Sequence, residues 1–384
     1  MRATFNPRVQ LTGVGSCVGD RRVTNADLEP MIHGYDASRS GPFGTWVDQV
    51  TQIHERPFSP PGTRTVDLAL PAARAALSMA GVEAKDLGLI VYASFTPSRM
   101  IPGDHCVFAH ELGAARTPSF NLMGACAGSI QGLGLAYGMI ASGAIEHAMV
   151  VGAETISPML NYHDPLTAIL FGDGAGVAVV SRVDGAPEGS GMAPPHLAFE
   201  YSPTAIQVGN SNNPHELRCF DATPDKPSHP LVERSLIVMN GGPNVLKNAV
   251  NNMAECTVRT LGYEMTDLKA GHPDLRRALD DAWLVPHQAN GRIVDGLANK
   301  LAMSKVVRTV YRYGNMSAAS NLVALDHLVR RGNLERVLDA QEHVLEVREV
   351  PTRAAQGDLV LMPSIGGGYL MGCVALRLGV PLLR

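Results

Sequence analysis

Apolar runs and amphipathic stretches alternate along most of the chain. Residues 87–95 (LGLIVYASF) and 147–154 (HAMVVGAE) are continuous apolar runs, which is typical of strands buried on both faces. Residues 67–80 and 129–142 have helical patterns, although Pro71 indicates that the first of these helices starts later. Residues 172–183 begin with glycines and continue as a strand. This alternation predicts an α/β protein.

The second half of the chain repeats the rhythm of the first. Helix or strand patterns occur in five further segments, residues 243–261, 282–288, 320–331, 358–368 and 369–378. In an alignment of the halves, LGLIVYASF corresponds to AWLVPHQAN, and HAMVVGAE corresponds to DLVLMPSIGGG. The helix after Cys126 then corresponds to the helix after Asn315. A weak internal duplication is the simplest explanation.

Residues 184–235 interrupt this rhythm. They are rich in Pro, Gly, Ser and Asn and have weak periodicity, which predicts a connection of loops and short strands, such as a lid or a domain-joining insert. We therefore predict three parts: an N-terminal half (1–183), a connection (184–235) and a C-terminal half (236–384).

Composition and charge narrow the class of protein. The 384 residues are 45% hydrophobic, which is ample for a large core, and the net charge of −4 argues against a nucleic-acid binder. The six cysteines have neither CxxC spacing nor a metal-like grouping with histidine, so we expect reduced thiols and no metal. The first residues lack the apolar segment of a signal peptide. These features predict a cytoplasmic protein.

Residues 117–145 contain no charged side chain, which raises the question of a membrane span. The segment also contains Asn121, Gln131 and several serines, which would need partners in lipid. We favour a strand end, a loop and a helix buried in the centre of an α/β protein.

Three residues are candidates for chemistry. Cys126 lies in GACAGS just before a predicted helix, Asn315 has the equivalent place in the second half, and His287 follows a buried strand. Each also has a structural interpretation: a packed cysteine, a histidine bonded to a carbonyl group, and a helix cap or turn. Their joint placement favours a shared active site, since open α/β sheets bind ligands at the carboxyl ends of strands.

A thiol at a helix N-terminus is expected to favour the thiolate form, and backbone N–H groups there can bind an oxyanion. The glycines of IGGG (365–368) allow a second N–H group to approach a ligand, although they also suit a simple turn. For GDGAG (172–176) we favour a structural turn beneath the site.

Five motifs occur in the order and approximate spacing of one enzyme family: ACAGS, LFGDGAG, PHQANGRI, YGNMSAAS and IGGGYLMG. Over nearly its whole length the chain resembles the β-ketoacyl-ACP synthase III family. The resemblance implies a thiolase fold, in which two duplicated α/β halves form five layers, α-β-α-β-α. It also implies a cytoplasmic homodimer that acts on acyl carrier protein or CoA thioesters without a cofactor.

The resemblance implies a role for each site residue. Cys126 would receive an acyl group, with its own N–H and that of Gly367 as the oxyanion hole. His287 and Asn315 would stabilise the enolate of a malonyl-type extender during decarboxylative Claisen condensation. Asn290 would contact substrate.

Further positions concern donor choice. Trp46 matches a residue that clamps the CoA adenine. Val50 and Pro165, however, stand at the two positions where the resemblance leads us to expect CoA-contacting arginines. The resemblance therefore favours a carrier-bound donor or an unusual CoA ester, in fatty-acid-like or polyketide biosynthesis. Ile101 would limit acyl length across the dimer, unless it belongs to the core. Three cations would dock the carrier, unless they belong to an ordinary solvated surface: Lys247, Arg292 and Lys300.

Two rival functions stay open at this point. An acyltransferase could use the same acyl-cysteine to form an ester or an amide. A non-catalytic partner subunit could retain a relic pocket, although intact Cys126, His287 and Asn315 argue against this.

Overall fold

Two sheets form the framework of the protein in its computed structural model, which describes residues 2–99, 101–199, 206–208, 237–239, 242–339 and 344–379. The strands are β1 (Val9–Val18), β2 (Arg21–Thr24), β3 (Glu55–Phe58), β4 (Leu89–Ala93), β5 (Ser119–Leu122), β6 (His147–Glu154), β7 (Gly174–Arg182), β8 (Gly191–Met192), β9 (His196–Phe199), β10 (Ile206–Val208), β11 (Ile237–Met239), β12 (Trp283–Leu284), β13 (Asn333–Leu338), β14 (Val344–Val350), β15 (Leu359–Ile365) and β16 (Leu370–Arg377). The first sheet has the order β1-β7-β6-β4-β5, and the second has the order β12-β15-β16-β8, with β9 also paired to β16.

Helices cover both sheets and fill the space between them. The helices span Asn25–Leu28, Ala37–Ser40, Phe43–Thr51, Thr65–Ala80, Asp104–Leu112, Gly128–Ala141, Pro165–Ala168, Gly242–Thr260, Met265–Lys269, Pro273–Asp281, Gly291–Leu301, Val310–Tyr313 and Ser320–Asp326. Thr65–Ala80 and Asp104–Leu112 pack on the outside of the first sheet, and Gly242–Thr260 packs on the outside of the second. Gly128–Ala141 and Ser320–Asp326 lie between the sheets. The result is the five-layer arrangement that the resemblance implied.

The first outer helix starts before Pro71, not after it. Its first turn is held because the backbone N–H of Arg64 donates to Asp67 (2.8 Å) and the Thr65 hydroxyl donates to Asp104 (2.6 Å). Pro71 therefore lies inside the helix, and the expected later start is wrong.

The uncharged segment lies in the interior of the protein, as its sequence predicted. Residues 117–145 contribute β5 and the helix Gly128–Ala141, which is buried between the two sheets. A Cβ at Gly132 would lie 2.8 Å from Val150, so glycine lets this helix approach the first sheet closely. Among the helices in the described part of the chain, none is both long and apolar enough to cross a bilayer.

The two sheets share one pairing pattern. In the first, β4 is parallel to β6, and β6 is antiparallel to β7. In the second, β12 is parallel to β15, and β15 is antiparallel to β16. The strands that were aligned from sequence therefore occupy equivalent places, which confirms the duplicated architecture.

The register of the duplication differs from the sequence alignment in the two central turns. Gly124 (φ −101°, ψ 18°) has nearly the angles of Met316 (φ −102°, ψ 29°). The residues that follow them, Ala125 and Ser317, have left-handed φ values of 45° and 46°. Cys126 is thus equivalent to Ala318, and Asn315 lies three residues before this equivalent position, so the expected match of Cys126 with Asn315 is wrong. The sequence could not show this offset, because it depends on backbone angles.

The predicted connection, residues 184–235, lies largely outside the described residues. The described part contains β8, β9 and β10, and both β8 and β9 pair with β16. The division into residues 1–183, 184–235 and 236–384 stays a prediction.

Candidate active site

Cys126 lies in a tight turn at the start of a central helix. The turn is the 3₁₀ segment Ala125–Ala127, which leads directly into Gly128–Ala141, and Cys126 is 6% exposed. The Ser364 hydroxyl donates to the Cys126 carbonyl oxygen (2.9 Å). A Cβ at Gly366 would lie 3.0 Å from the Cys126 nitrogen. The strand β15 and its following glycine therefore fix the backbone that carries the thiol.

Asn315 and Ser317 come to the thiol from the second half of the chain. The Asn315 N–H donates to the Leu170 carbonyl oxygen (2.8 Å), and the Gly172 N–H donates to the Asn315 carbonyl oxygen (3.1 Å). The GDGAG turn thus supports Asn315 structurally. Asn315 Oδ1 accepts from the Ser317 N–H (2.8 Å). The side chains of Ser317 and Asn315 both act to lower the pKa of the Cys126 thiol, which places them beside it.

His287 is held by the same strand that holds Cys126. Its N–H donates to the Pro363 carbonyl oxygen (2.9 Å), which continues the β12–β15 pairing, and Pro363 precedes Ser364. The side chain is 1% exposed, and Nδ1 has no hydrogen-bond partner among the described residues. Burial lowers the pKa of His287 to about 3. The imidazole is therefore neutral near pH 7 and can donate one hydrogen bond to a ligand.

The resting thiol is protonated, contrary to the expectation from sequence. Burial raises the pKa of Cys126 from 9.0 to about 12, although Ser317 and Asn315 act in the opposite direction. This increase corresponds to about 4 kcal/mol, whereas a helix N-terminus stabilises an anion by about 2 kcal/mol at most. Burial therefore outweighs the helix dipole, and reaction of the thiol requires transfer of its proton to a base.

Alkylation of Cys126 by iodoacetamide is expected to accelerate about tenfold per pH unit between pH 6 and 9, because only the thiolate reacts and its pKa of about 12 lies above this range. Peptide mass spectrometry can follow Cys126 separately, with the exposed Cys106 as the internal reference. A rate that does not change with pH from pH 6 upward would contradict a protonated resting thiol.

Two N–H groups are available for an oxyanion. Among the described residues, no other residue accepts a hydrogen bond from the Cys126 N–H or the Gly367 N–H. The Gly366 N–H, by contrast, donates to the Leu370 carbonyl oxygen (2.7 Å) in the β15–β16 turn. The neighbouring Gly368 has a φ of 75°, which explains the need for glycine at that position.

Two polar residues near the thiol were not predicted from the sequence. Glu154, the last residue of β6, is fully buried, and its charge acts to raise the pKa of Cys126. Ser317 is fully buried next to Asn315. A carboxylate that ends an otherwise apolar strand was the available signal for Glu154. Nothing in the motif YGNMSAAS distinguished Ser317 from a turn residue.

The predicted substrate residues lie in different environments. The Trp46 ring is half-buried against Tyr35 and Phe43, with ring centroids 4.9 and 5.8 Å away. Asn290 caps the helix Gly291–Leu301 through its Oδ1, which accepts from the Ile293 N–H (2.9 Å), so its amide –NH₂ stays available. Ile101 is 92% exposed, which rules out the alternative of an ordinary core residue in the protomer.

The three predicted docking cations are exposed on two helices that pack together. Lys247 belongs to Gly242–Thr260, and Arg292 and Lys300 belong to Gly291–Leu301. Lys300 Nζ donates to Asn251 Oδ1 (2.9 Å). Lys247 and Arg292 make no ion pair with any residue that the structure describes.

The five cysteines within the described residues are free, and Cys219 lies outside them. The described residues contain no group of three or more His, Cys, Asp or Glu side chains that could hold a metal ion.

Comparisons with known proteins agree with this architecture. The family descriptions 3-oxoacyl-(acyl-carrier-protein) synthase III and its C-terminal domain match residues 120–196 and 277–339. The chain is 36% identical to a β-ketoacyl-(acyl-carrier-protein) synthase III of Symbiobacterium thermophilum, over 97% of this chain and 98% of that protein. A similar enzyme of Thioalkalivibrio sulfidiphilus is 34% identical, over 96% and 98%.

Solved structures give the same result. The synthase III of Aquifex aeolicus superposes with a TM-score of 0.73 at 27% identity, covering 96% of this chain and 99% of that one. The priming β-ketosynthase of a polyketide biosynthetic pathway superposes with a TM-score of 0.75 at 27% identity, covering 99% of both chains. Fold and site together define a condensing enzyme with the thiolase fold. Within that class, the chain belongs to the β-ketoacyl-ACP synthase III family.

Proposed function

We propose that the protein forms a carbon–carbon bond by decarboxylative Claisen condensation through an acyl-Cys126 intermediate. The observation that carries the proposal is the convergence of a buried thiol, an amide and a neutral imidazole on one structural unit. Ser364 of β15 holds the Cys126 backbone, the neighbouring Pro363 holds His287, and Asn315 lies beside the thiol.

Acylation uses the first part of this site. The thiol of Cys126 attacks the thioester carbonyl of a donor, and the N–H groups of Cys126 and Gly367 stabilise the oxyanion of the tetrahedral intermediate. Both N–H groups are unoccupied by other described residues. A preorganised donor of this kind typically contributes about 10²–10³ in rate.

Condensation uses the second part. The neutral His287 and the Asn315 amide donate hydrogen bonds to the thioester oxygen of a malonyl-type extender. These bonds stabilise the enolate that forms as CO₂ leaves, and its carbon then attacks the acyl-cysteine. Burial lowers the pKa of His287 and keeps its imidazole neutral near pH 7, and the neutral ring still has one N–H group to donate to this oxygen.

We propose a carrier-protein-bound donor or an unusual CoA ester, in a specialised pathway that makes polyketide-like or fatty-acid-like products. Trp46 already packs against two rings, and the half-buried Val50, which stands where the resemblance places an arginine, packs against the core. Lys247 and Arg292, which pair with no described residue, provide positive charge for an acidic carrier.

We propose a homodimer in which β5 is at the interface. This strand ends the first sheet, and no described strand pairs with its outer edge. Phe120, Met123 and Ile101 expose apolar surface nearby, with exposed fractions of 37%, 61% and 92%. Open strand edges and apolar patches are normally covered by a partner, and Ile101 would then reach the partner's acyl pocket.

The test is intact-protein mass spectrometry against matched acyl-CoA and acyl-ACP donors, followed by addition of malonyl-ACP. We expect faster acylation from acyl-ACP than from acetyl-CoA, and a β-ketoacyl product after malonyl addition. Efficient priming by acetyl-CoA would contradict the donor assignment, and acylation that yields only esters or amides would contradict the condensation.

A further inference from the structure

A buried carboxylate that has no cationic partner among the described residues lies close to the nucleophile. Glu154 is fully buried and accepts from the N–H groups of Phe95 (3.2 Å) and Thr96 (3.1 Å) and from the hydroxyl of Thr96 (2.6 Å). Thr96 Oγ1 also accepts from the Thr155 N–H, so its own proton is available to Glu154. These donors hold the carboxylate in one position, and none of them is a charged group.

The titration of Glu154 is set by burial rather than by charge pairing. Burial raises the pKa of Glu154 from 4.5 to about 7, opposed by its hydrogen bonds to Thr96, Phe95 and Ser94 and by Ser317. Among the described residues, the Cys126 thiol and the Tyr92 hydroxyl are the titratable groups that interact with it, and both are neutral near pH 7 because burial raises their pKa values. Glu154 can therefore both accept and return a proton near neutral pH.

The turn that carries Ser317 contacts both the strand that carries Glu154 and the turn that carries Cys126. The turn Ser317–Ala319 packs against β6, which ends at Glu154, and against the turn Ala125–Ala127. A Cβ at Gly152 of β6 would lie 2.2 Å from the Ala318 carbonyl oxygen, so glycine is needed for this close packing. The Ser317 side chain acts to lower the pKa of both neighbours, Cys126 and Glu154.

Ser317 is also held in an unfavourable state. Its hydroxyl is fully buried and has no well-formed hydrogen bond to any described residue. Its φ of 46° is left-handed, which costs a non-glycine residue about 1–3 kcal/mol. Costs of this kind concentrate at functional sites, where the structure retains them for chemistry.

We propose that Ser317 relays the thiol proton of Cys126 to Glu154 during acylation, and that Glu154 stores this proton until condensation. The relay rests on the proposed function. The Cys126 Sγ–acyl bond forms while the thioester C–S bond of the donor breaks, and the donor leaves as a thiolate that takes a proton from solvent. The proton of Sγ moves to the Ser317 oxygen as the hydroxyl proton of Ser317 moves to Glu154. When the carbanion of the extender displaces Cys126, the stored proton returns to Sγ by the same route.

The test measures the rate of Cys126 acylation by rapid-quench mass spectrometry between pH 5.5 and 8.5, with an acyl thioester in single turnover. In the wild type the rate should rise with pH and level off above pH 7, as Glu154 ionises. Ser317→Ala should acylate about 100-fold more slowly, and Ser317→Gly, which relieves the left-handed φ, should be as slow. Glu154→Gln should lose the inflection near pH 7.

A matched control is Thr257→Val, which removes a buried hydroxyl whose hydrogen bond goes to the Met253 carbonyl oxygen within an outer helix. It should keep the wild-type rate and pH profile. Wild-type rates and profiles in both Ser317 variants would overturn the relay alone, and they decide the matter even if Glu154→Gln does not fold. A wild-type protein that never gains acyl mass would overturn the proposed function, and the relay with it.

Discussion

Replacing Cys126 with alanine is expected to abolish both acylation and condensation, with product formation falling at least ~10³-fold. The physical reason is that no other group in the site can form the thioester, and loss of a nucleophile in a comparable covalent mechanism costs up to about 10⁶ in kcat. The fold should survive, because the contact of Ser364 with this residue is made to the Cys126 backbone carbonyl and not to its side chain. The measurement is β-ketoacyl product formed from an acyl donor and malonyl-ACP, with intact mass recorded in parallel.

The matched control for this change is Cys256→Ala, which removes a buried free thiol from an outer helix. Burial raises the pKa of Cys256 to about 12, as it does for Cys126. The two thiols therefore have similar acidity, but only Cys126 lies in the candidate active site. Cys256→Ala should keep the wild-type rate within about twofold, as expected of a site outside the mechanism. Acyl mass gained by Cys126→Ala would contradict the assignment of the nucleophile.

Replacing Asn315 with aspartate is expected to separate condensation from acylation. Aspartate keeps an oxygen that can accept from the Ser317 N–H, so the turn beside the thiol is preserved. It loses the –NH₂ donor to the enolate, and loss of one such donor typically costs about 10²–10³ in rate. Condensation should fall by that factor. Acylation should fall less, because for that step the change removes only the contact by which Asn315 lowers the pKa of the Cys126 thiol.

The separation is measured by following CO₂ release from malonyl-ACP alongside the acyl mass on Cys126. His287→Ala should show the same pattern, because the imidazole serves the same enolate. If acylation and condensation fall together by the same factor in both variants, the division of the site into two functions is wrong. If wild-type protein transfers acyl groups to alcohols or amines and Asn315→Asp does so equally well, the rival acyltransferase is favoured.

The architecture was accessible from sequence because it depends on local patterns. Apolar runs such as residues 147–154 predict buried strands, and the observed β6 has the same bounds. The pairing of halves followed from repeating that pattern. The start of Thr65–Ala80 was missed, because two tertiary contacts hold a turn that Pro71 alone would not predict.

The site was accessible only in part. Cys126, His287 and Asn315 stand in motifs. Glu154 and Ser317 can be recognised as site residues only in the folded protein, where β6 packs against the turn Ser317–Ala319. The protonation of the thiol was also beyond the sequence, since burial opposes the helix dipole and its magnitude depends on the folded environment. The predicted roles of Gly367, Asn290, Trp46 and Ile101 depend on substrate and partner contacts and stay predictions.

The central claim is that an acyl group passes through Cys126 on its way to a new carbon–carbon bond. The most direct measurement is peptide-mapped mass spectrometry of the wild-type protein, first with an acyl-ACP alone and then after addition of malonyl-ACP. We expect a single acyl adduct on the peptide that contains Cys126, which disappears as β-ketoacyl-ACP forms. An adduct on a different residue, or one on Cys126 that persists while the β-ketoacyl product accumulates, would contradict it.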